Sequence, residues 1–156
     1  MKFCIVGSGY VGLSLAVLIS QKYKVSLLEI DSTKVDLINK KESPIKDREI
    51  ENYLKIKPLK LTATTVKKDA YKNADYIIVA APTNYDSISG SFDTKSVEEV
   101  VSDSISHNKK ATVVIKSTIP FGFTDILRNK FNHNNIFFSP EFLRETSALY
   151  DNLHPS

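Results

Sequence analysis

Short apolar runs rich in β-branched residues alternate along this chain with longer stretches in which apolar positions recur every three or four residues. The first run is Lys2-Phe3-Cys4-Ile5-Val6 and the second is Lys24-Val25-Ser26-Leu27-Leu28-Glu29. Between them Val11, Leu15, Leu18 and Ile19 share one helical stripe, which predicts a helix over residues 10–21. Asp31 stands where an N-cap would open a second helix carrying Val35 and Ile38, and a more polar helix is expected over residues 48–55, with Pro58 beyond its end. Lys60-Leu61-Thr62 reads as a weak strand. Asp75-Tyr76-Ile77-Ile78-Val79-Ala80 is a strong one, almost wholly apolar, as a strand covered on both faces must be.

Glycine and small polar residues from Thr83 to Ser91 read as one long loop. A helix over residues 94–106, the strand Ala111-Thr112-Val113-Val114-Ile115, and a helix after Pro120 running to about Phe131 are expected next. The strand Asn135-Ile136-Phe137-Phe138 follows, then a last helical stretch containing Phe142, Leu143 and Leu149. Strands that alternate with helices predict an α/β fold whose sheet is mainly parallel. Right-handed crossovers then give a doubly wound, six-stranded sheet in the order 3-2-1-4-5-6, with helices on both faces: a Rossmann fold.

Composition narrows this picture. With 156 residues, 42% of them hydrophobic, residues 1–156 suffice for one domain and one core. No run approaches the roughly 20 apolar residues of a membrane span, and the apolar start breaks at Gly7, so a cytoplasmic location is expected. Cys4 is the single cysteine, which excludes an internal disulfide and a cysteine metal cluster. Inside an apolar strand it is expected to be core packing rather than a nucleophile. The net charge of +3 comes with lysine pairs scattered among acids, so a solvated surface is expected and no nucleic-acid partner.

Candidate chemistry collects at the ends of the predicted strands. Gly7-Ser8-Gly9-Tyr10-Val11-Gly12 is a G-x-G-x-x-G that leaves a strand and opens a helix. In that setting Gly7 permits the tight turn, Gly9 lets a pyrophosphate approach the backbone, and Gly12 lets helix and strand pack closely. Glu29 ends the second strand, where a carboxylate can accept hydrogen bonds from both adenosine ribose hydroxyls and repel a 2′-phosphate, so the cofactor is expected to be NAD rather than NADP. Asp31 is the rival, with capping as its own structural explanation. Pro82-Thr83, Ser117-Thr118-Ile119-Pro120 and Glu141 to Glu145 also fall beyond strand ends, where open α/β sheets bind ligands. A plainer reading makes Ser117 and Thr118 turn and cap residues, and Glu141 and Glu145 charges in a first helical turn.

Taken together, Gly7 to Leu13, Ala81-Pro82-Thr83, Lys116-Ser117-Thr118-Ile119-Pro120 and Ser139-Pro140-Glu141-Phe142-Leu143-Arg144-Glu145 resemble the UDP-glucose/GDP-mannose dehydrogenases. The Pro-Glu-Phe-Leu-Arg-Glu segment is similar to that of the members acting on UDP-glucose. The resemblance implies oxidation of a sugar C6 alcohol to a carboxylate with two NAD, through a thiohemiacetal and a thioester on a cysteine. It implies that Lys34 lies near the adenosine and that Thr83, Thr118 and Glu145 border the nicotinamide. Glu141 and Thr118 would position water or protons, and Phe142, Leu143, Arg144 and Glu145 would line the sugar and phosphate pocket.

Two departures stand out: Asn84 where many relatives have proline, and Thr146 where glycine is common. The resemblance also places the nucleophilic cysteine, a catalytic lysine and most uridine contacts in a later helix and a second domain. Residues 1–156 are therefore expected to hold half of an active site and to be inactive alone. A homodimer and a role in supplying polysaccharide synthesis are further implications. The alternatives are a dehydrogenase of UDP-N-acetylmannosamine or GDP-mannose, and a non-catalytic NAD-sensing module.

Overall fold

The computed structural model describes residues 1–83, 85–86 and 91–155. Its elements run β1 (Lys2–Val6), α1 (Tyr10–Ser20), β2 (Lys24–Leu28), α2 (Ser32–Asn39), α3 (Arg48–Ile56), β3 (Leu61–Thr64), α4 (Lys67–Tyr71) and β4 (Tyr76–Val79). They continue with β5 (Tyr85–Asp86), β6 (Ser91–Phe92), α5 (Lys95–His107), β7 (Thr112–Ile115), α6 (Phe123–Phe131), β8 (Ile136–Phe138), a 3-10 turn (Glu145–Ser147) and α7 (Ala148–Leu153). The main sheet has six strands in the order β3-β2-β1-β4-β7-β8, and every pairing is parallel. This is the expected doubly wound arrangement, with β5 and β6 set aside in their own antiparallel pair.

Both faces of the sheet are covered, which explains the continuous apolar strands. Ile5, Leu27 and Ile78 point into one core with Leu13, Val17, Val35, Ile38 and Ile50 from the helices. Cys4, Val6, Leu28 and Ile77 point to the opposite face and pack with Ala70, Tyr71 and Ala111. A third apolar cluster joins β7 and β8 to α5 and α6 through Val97, Val101, Val113, Ile115, Leu127 and Ile136. Helix α1 is apolar nearly all round because α7 packs on its outer side, with Leu149 entering the first core and Asn152 Nδ2 donating to Ser14 Oγ at 2.9 Å.

Two expectations are corrected. The stretch from Thr83 to Ser91 is not one loop: β5 and β6 pair across it, while Asn84 and residues 87–90 lie outside the described residues. Phe142 and Leu143 do not belong to the last helix, which begins only after the Glu145–Ser147 turn. Arg144 is extended and its side chain and backbone N–H are clamped on Asp151, which holds the chain out of helical geometry there. Helix α4 is an addition that the sequence pattern did not predict.

Among the described residues no helix is long and apolar enough to cross a membrane, and no group of three or more His, Cys, Asp or Glu could hold a metal. Cys4 is fully buried, and burial pushes its thiol up to about 12 against the opposing charge of Lys2. Burial also raises the Tyr71 phenol, helped by Cys4 and Asp103, and its hydroxyl has no hydrogen-bond partner among the described residues. In the unfolded chain the thiol ionises near its ordinary 9.0, while the folded thiol stays protonated to about 12. The unfolded state therefore binds fewer protons, and stability falls as pH rises through that window, by about 1.4 kcal/mol per pH unit per group. Melting temperatures between pH 8 and 11 should decline more steeply in the parent than in Cys4→Val. Coincident slopes would contradict the assignment.

Candidate functional site

The chain reverses direction across the sheet between β1 and β4, so the crevice of the doubly wound fold opens beyond the carboxyl ends of these strands. The glycine loop fills the β1 side. Gly7 takes φ +99°, and a Cβ there would lie 2.5 Å from the Ala80 carbonyl oxygen. Gly12 is tighter still: its Cβ would lie 1.9 Å from the Gly7 carbonyl oxygen. Gly9 differs from both, because a Cβ built on it meets nothing within 4 Å. Among the described residues its lack of a side chain relieves no contact, and the space in front of it is open.

Gly9 is also the N-cap of α1, and it makes no side-chain cap hydrogen bond. The first intrahelical bond runs from the Leu13 N–H to the Gly9 carbonyl at 2.9 Å. The first-turn N–H groups therefore precede the ladder, and α1 has no acidic residue in its first turn. An uncapped helix end facing open space at a glycine is the arrangement that receives a phosphate.

Glu29 follows β2 and is buried, at 9% exposure. One carboxylate oxygen accepts from the Ser8 N–H at 3.0 Å and the Ser8 hydroxyl at 2.5 Å. The other accepts from the N–H groups of Ile30 at 2.8 Å and Asp31 at 3.2 Å. Burial pushes this carboxyl up, but the hydrogen bonds from Ser8, Asp31 and Ile30 outweigh it and hold the group below its ordinary value. Glu29 is thus a fixed negative charge at the edge of the glycine loop. Asp31 has a separate role: it is exposed and caps α2 by accepting from the Thr33 N–H at 2.9 Å. Ser8 is a residue that sequence reasoning missed: it stands inside the glycine motif, but its partner Glu29 lies 21 residues further along the chain. Lys34 lies, half-buried, on the first turn of α2.

The other strand ends complete the edge. Ala81 is buried, Pro82 exposed and Thr83 half-buried beyond β4, with the Ser96 hydroxyl donating to the Pro82 carbonyl at 2.6 Å. Ser117 is buried, and its hydroxyl donates to the Ala81 carbonyl at 2.7 Å, tying the end of β7 to that of β4. Thr118 beside it is exposed. Beyond β8, Glu141 forms an ion pair with Lys116 at 2.8 Å. Phe142 is 89% exposed and Leu143 half-buried. Arg144 gives its guanidinium to Asp151, and Glu145 is exposed at the start of the 3-10 turn. Two surface grooves lie away from this edge. One is bordered by the ion pairs Lys67–Asp103 and Lys130–Glu98 and by Glu99, and the other lies at the amino-terminal ends of β1 and β2.

Residues 1–156 match the UDP-glucose/GDP-mannose dehydrogenase family, NAD binding domain. The chain belongs to this family. Its uncapped α1, open Gly9 and anchored Glu29 fit the cofactor that defines the domain. The chain is 53% identical to a UDP-glucose 6-dehydrogenase of Streptococcus pneumoniae and 51% identical to one of Campylobacter jejuni. In both cases the match covers 100% of this chain and 40% of the relative, so the chain spans about 40% of the length of these relatives. Among solved structures, a GDP-mannose dehydrogenase from Pseudomonas aeruginosa superposes with TM-score 0.85 at 28% identity, over 99% of this chain and 39% of that one. A UDP-glucose dehydrogenase from Pyrobaculum islandicum superposes with TM-score 0.83 at 25% identity, again over 99% and 39%.

Proposed function

We propose that this domain serves a UDP-glucose 6-dehydrogenase, which oxidises the sugar C6 alcohol to a carboxylate. The observation that carries the reading is the identity of 51–53% with relatives named for that reaction. Under this reading the N–H groups at the start of α1 hold the cofactor pyrophosphate beside Gly9, and Glu29 takes the adenosine ribose near Lys34. Pro82, Thr83, Thr118 and Glu145 border the nicotinamide. When bound, NAD supplies a hydride acceptor. Glu141 and Thr118 position water and protons at the reacting carbon, and Phe142, Leu143, Arg144 and Glu145 line the sugar and phosphate pocket. For Arg144 this requires exchange of Asp151 for a substrate anion, which suits a guanidinium on an exposed segment. A cytoplasmic homodimer is the setting that the reading implies.

The test is the yield of NADH when the domain is present in a polypeptide of the relatives' length. Two NADH for each UDP-glucose consumed are expected, with GDP-mannose and UDP-N-acetylmannosamine giving little or none. Preference for either of those sugars would assign a sister reaction, and NAD binding without turnover of any sugar would make the domain a sensor.

A further inference from the structure

Lys116 was not singled out by its sequence position, yet its ammonium meets three acceptors at the carboxyl edge of the sheet. Its side chain is 12% exposed and that of Glu141 is 19% exposed. An ammonium group has three N–H donors. The Lys116 Nζ lies 2.8 Å from Glu141 Oε2, 3.3 Å from Ser139 Oγ and 3.4 Å from the Pro140 carbonyl oxygen. All three acceptors come from consecutive residues just beyond β8, whereas Lys116 stands just beyond β7. The backbone supports the same junction, with the Ser139 N–H donating to the Ile115 carbonyl at 2.9 Å. On the other side the Lys116 N–H donates to the Val79 carbonyl at 2.8 Å, so the backbone from which the lysine stem starts is anchored to β4.

We propose that Lys116 is a positioning residue that fixes the Glu141 carboxylate at the reacting end of the site. The segment is tied at one end by the Ser139 N–H and at the other by the Arg144 clamp on Asp151, and between them Lys116 pairs with the Glu141 carboxylate. Residues 139–144 form no helix or strand, and the neighbouring Phe142 side chain lies almost wholly in solvent. The ammonium spends its donors on this one turn, so it does not contact substrate itself; it sets where the carboxylate sits. A displacement of about 1 Å in a reacting group can cost on the order of 100-fold in rate. Loss of the clip should therefore lower turnover through Glu141 and leave the cofactor half of the site, at the glycine loop and Glu29, untouched.

This inference rests on the proposed role of Glu141 in sugar oxidation, and two measurements separate the two. In the polypeptide of the relatives' length, Lys116→Met should lower kcat by about 30- to 100-fold with the KM for NAD changed less than about twofold. The double variant Lys116→Met, Glu141→Gln should be no slower than Glu141→Gln alone, because the lysine acts only through the glutamate. A kcat within about threefold of the parent, or losses that multiply in the double variant, would overturn the positioning role. If Lys116→Met does not fold, Lys116→Gln, which keeps two donors but loses the charge, carries the same comparisons. A crystal structure of the lysine variant of residues 1–156 needs no turnover. Glu141 should be displaced in it, and a Glu141 carboxylate in its parent position would overturn the proposal even if the substrate reading stands. A parent enzyme that ignores UDP-glucose, with Glu141 displaced in the variant, would overturn the substrate reading alone.

Discussion

Gly9→Val should abolish NAD binding, lowering affinity by at least about 100-fold, while the domain stays folded. Among the described residues the added side chain meets no atom within 4 Å at its Cβ, and Gly9 has φ −72°, which any residue adopts. The expected stability loss is limited to the poorer N-cap, about 1 kcal/mol. The loss of binding has a different origin: the branched side chain fills the space in front of the first-turn N–H groups of α1. Gly12→Ala should behave in the opposite way. Its Cβ would lie 1.9 Å from a backbone oxygen, so the glycine loop or the helix must move. The gain of about 1 kcal/mol in helix propensity cannot offset an overpacking cost of about 3 kcal/mol. A melting temperature lower by roughly 4–8 °C is the expected result of the net loss of about 2 kcal/mol. Calorimetry and cofactor titration of both variants check the pair. Equal NAD affinity in Gly9→Val would reduce the loop to a structural turn.

The strand order and the glycine loop were legible because each has a local signature: apolar runs of strand length, helical stripes between them, and glycines at a strand-to-helix turn. What escaped lacks such a signature. Helix α4 has only five residues, Lys-Lys-Asp-Ala-Tyr, too few to show a period, and it forms because Ala70 and Tyr71 are buried against the sheet. Phe142 and Leu143 are apolar and near Leu149, so they read as one stripe, yet only Leu149 is buried. The Arg144 to Asp151 clamp decides that geometry through contacts that periodicity cannot register. Ser8 and Lys116 were passed over for a similar reason. Their partners, Glu29 and Glu141, are remote in sequence and meet them only because parallel strands place successive carboxyl ends side by side.

A second large effect concerns the reacting end. Residues 1–156 alone should release no NADH from UDP-glucose, and Glu141→Gln in the longer polypeptide should slow turnover by about 100- to 10,000-fold. The proposed second oxidation requires a thiolate facing the sugar. Within these residues the only thiol is Cys4, which lies fully buried in β1 and stays protonated up to about 12. The oriented approach of sugar to nicotinamide, worth roughly 7–11 kcal/mol, also needs walls that an open sheet edge does not supply. Glu141→Gln keeps size and hydrogen bonding but removes the charge paired with Lys116, so cofactor affinity should stay nearly constant while kcat falls. Steady NADH release by residues 1–156 would show that the site needs nothing further. An unchanged rate in Glu141→Gln would leave Glu141 as the partner of Lys116 and no more.

The claim that this edge is an NAD site is tested most directly by titrating residues 1–156 with NAD and NADP, in the parent and in Glu29→Ala. The Glu29 carboxylate is buried, held by four donors and kept ionised below its ordinary value, so it cannot readily turn away or take up a proton when a second anion approaches. A ribose hydroxyl can donate to it, whereas a 2′-phosphate meets like charge at a cost on the order of several kcal/mol. The parent should bind NAD at least about 30-fold more tightly than NADP, which is about 2 kcal/mol. Glu29→Ala should weaken NAD and erase most of that preference. Equal affinity of the parent for both cofactors, or a preference that survives Glu29→Ala unchanged, would contradict the account.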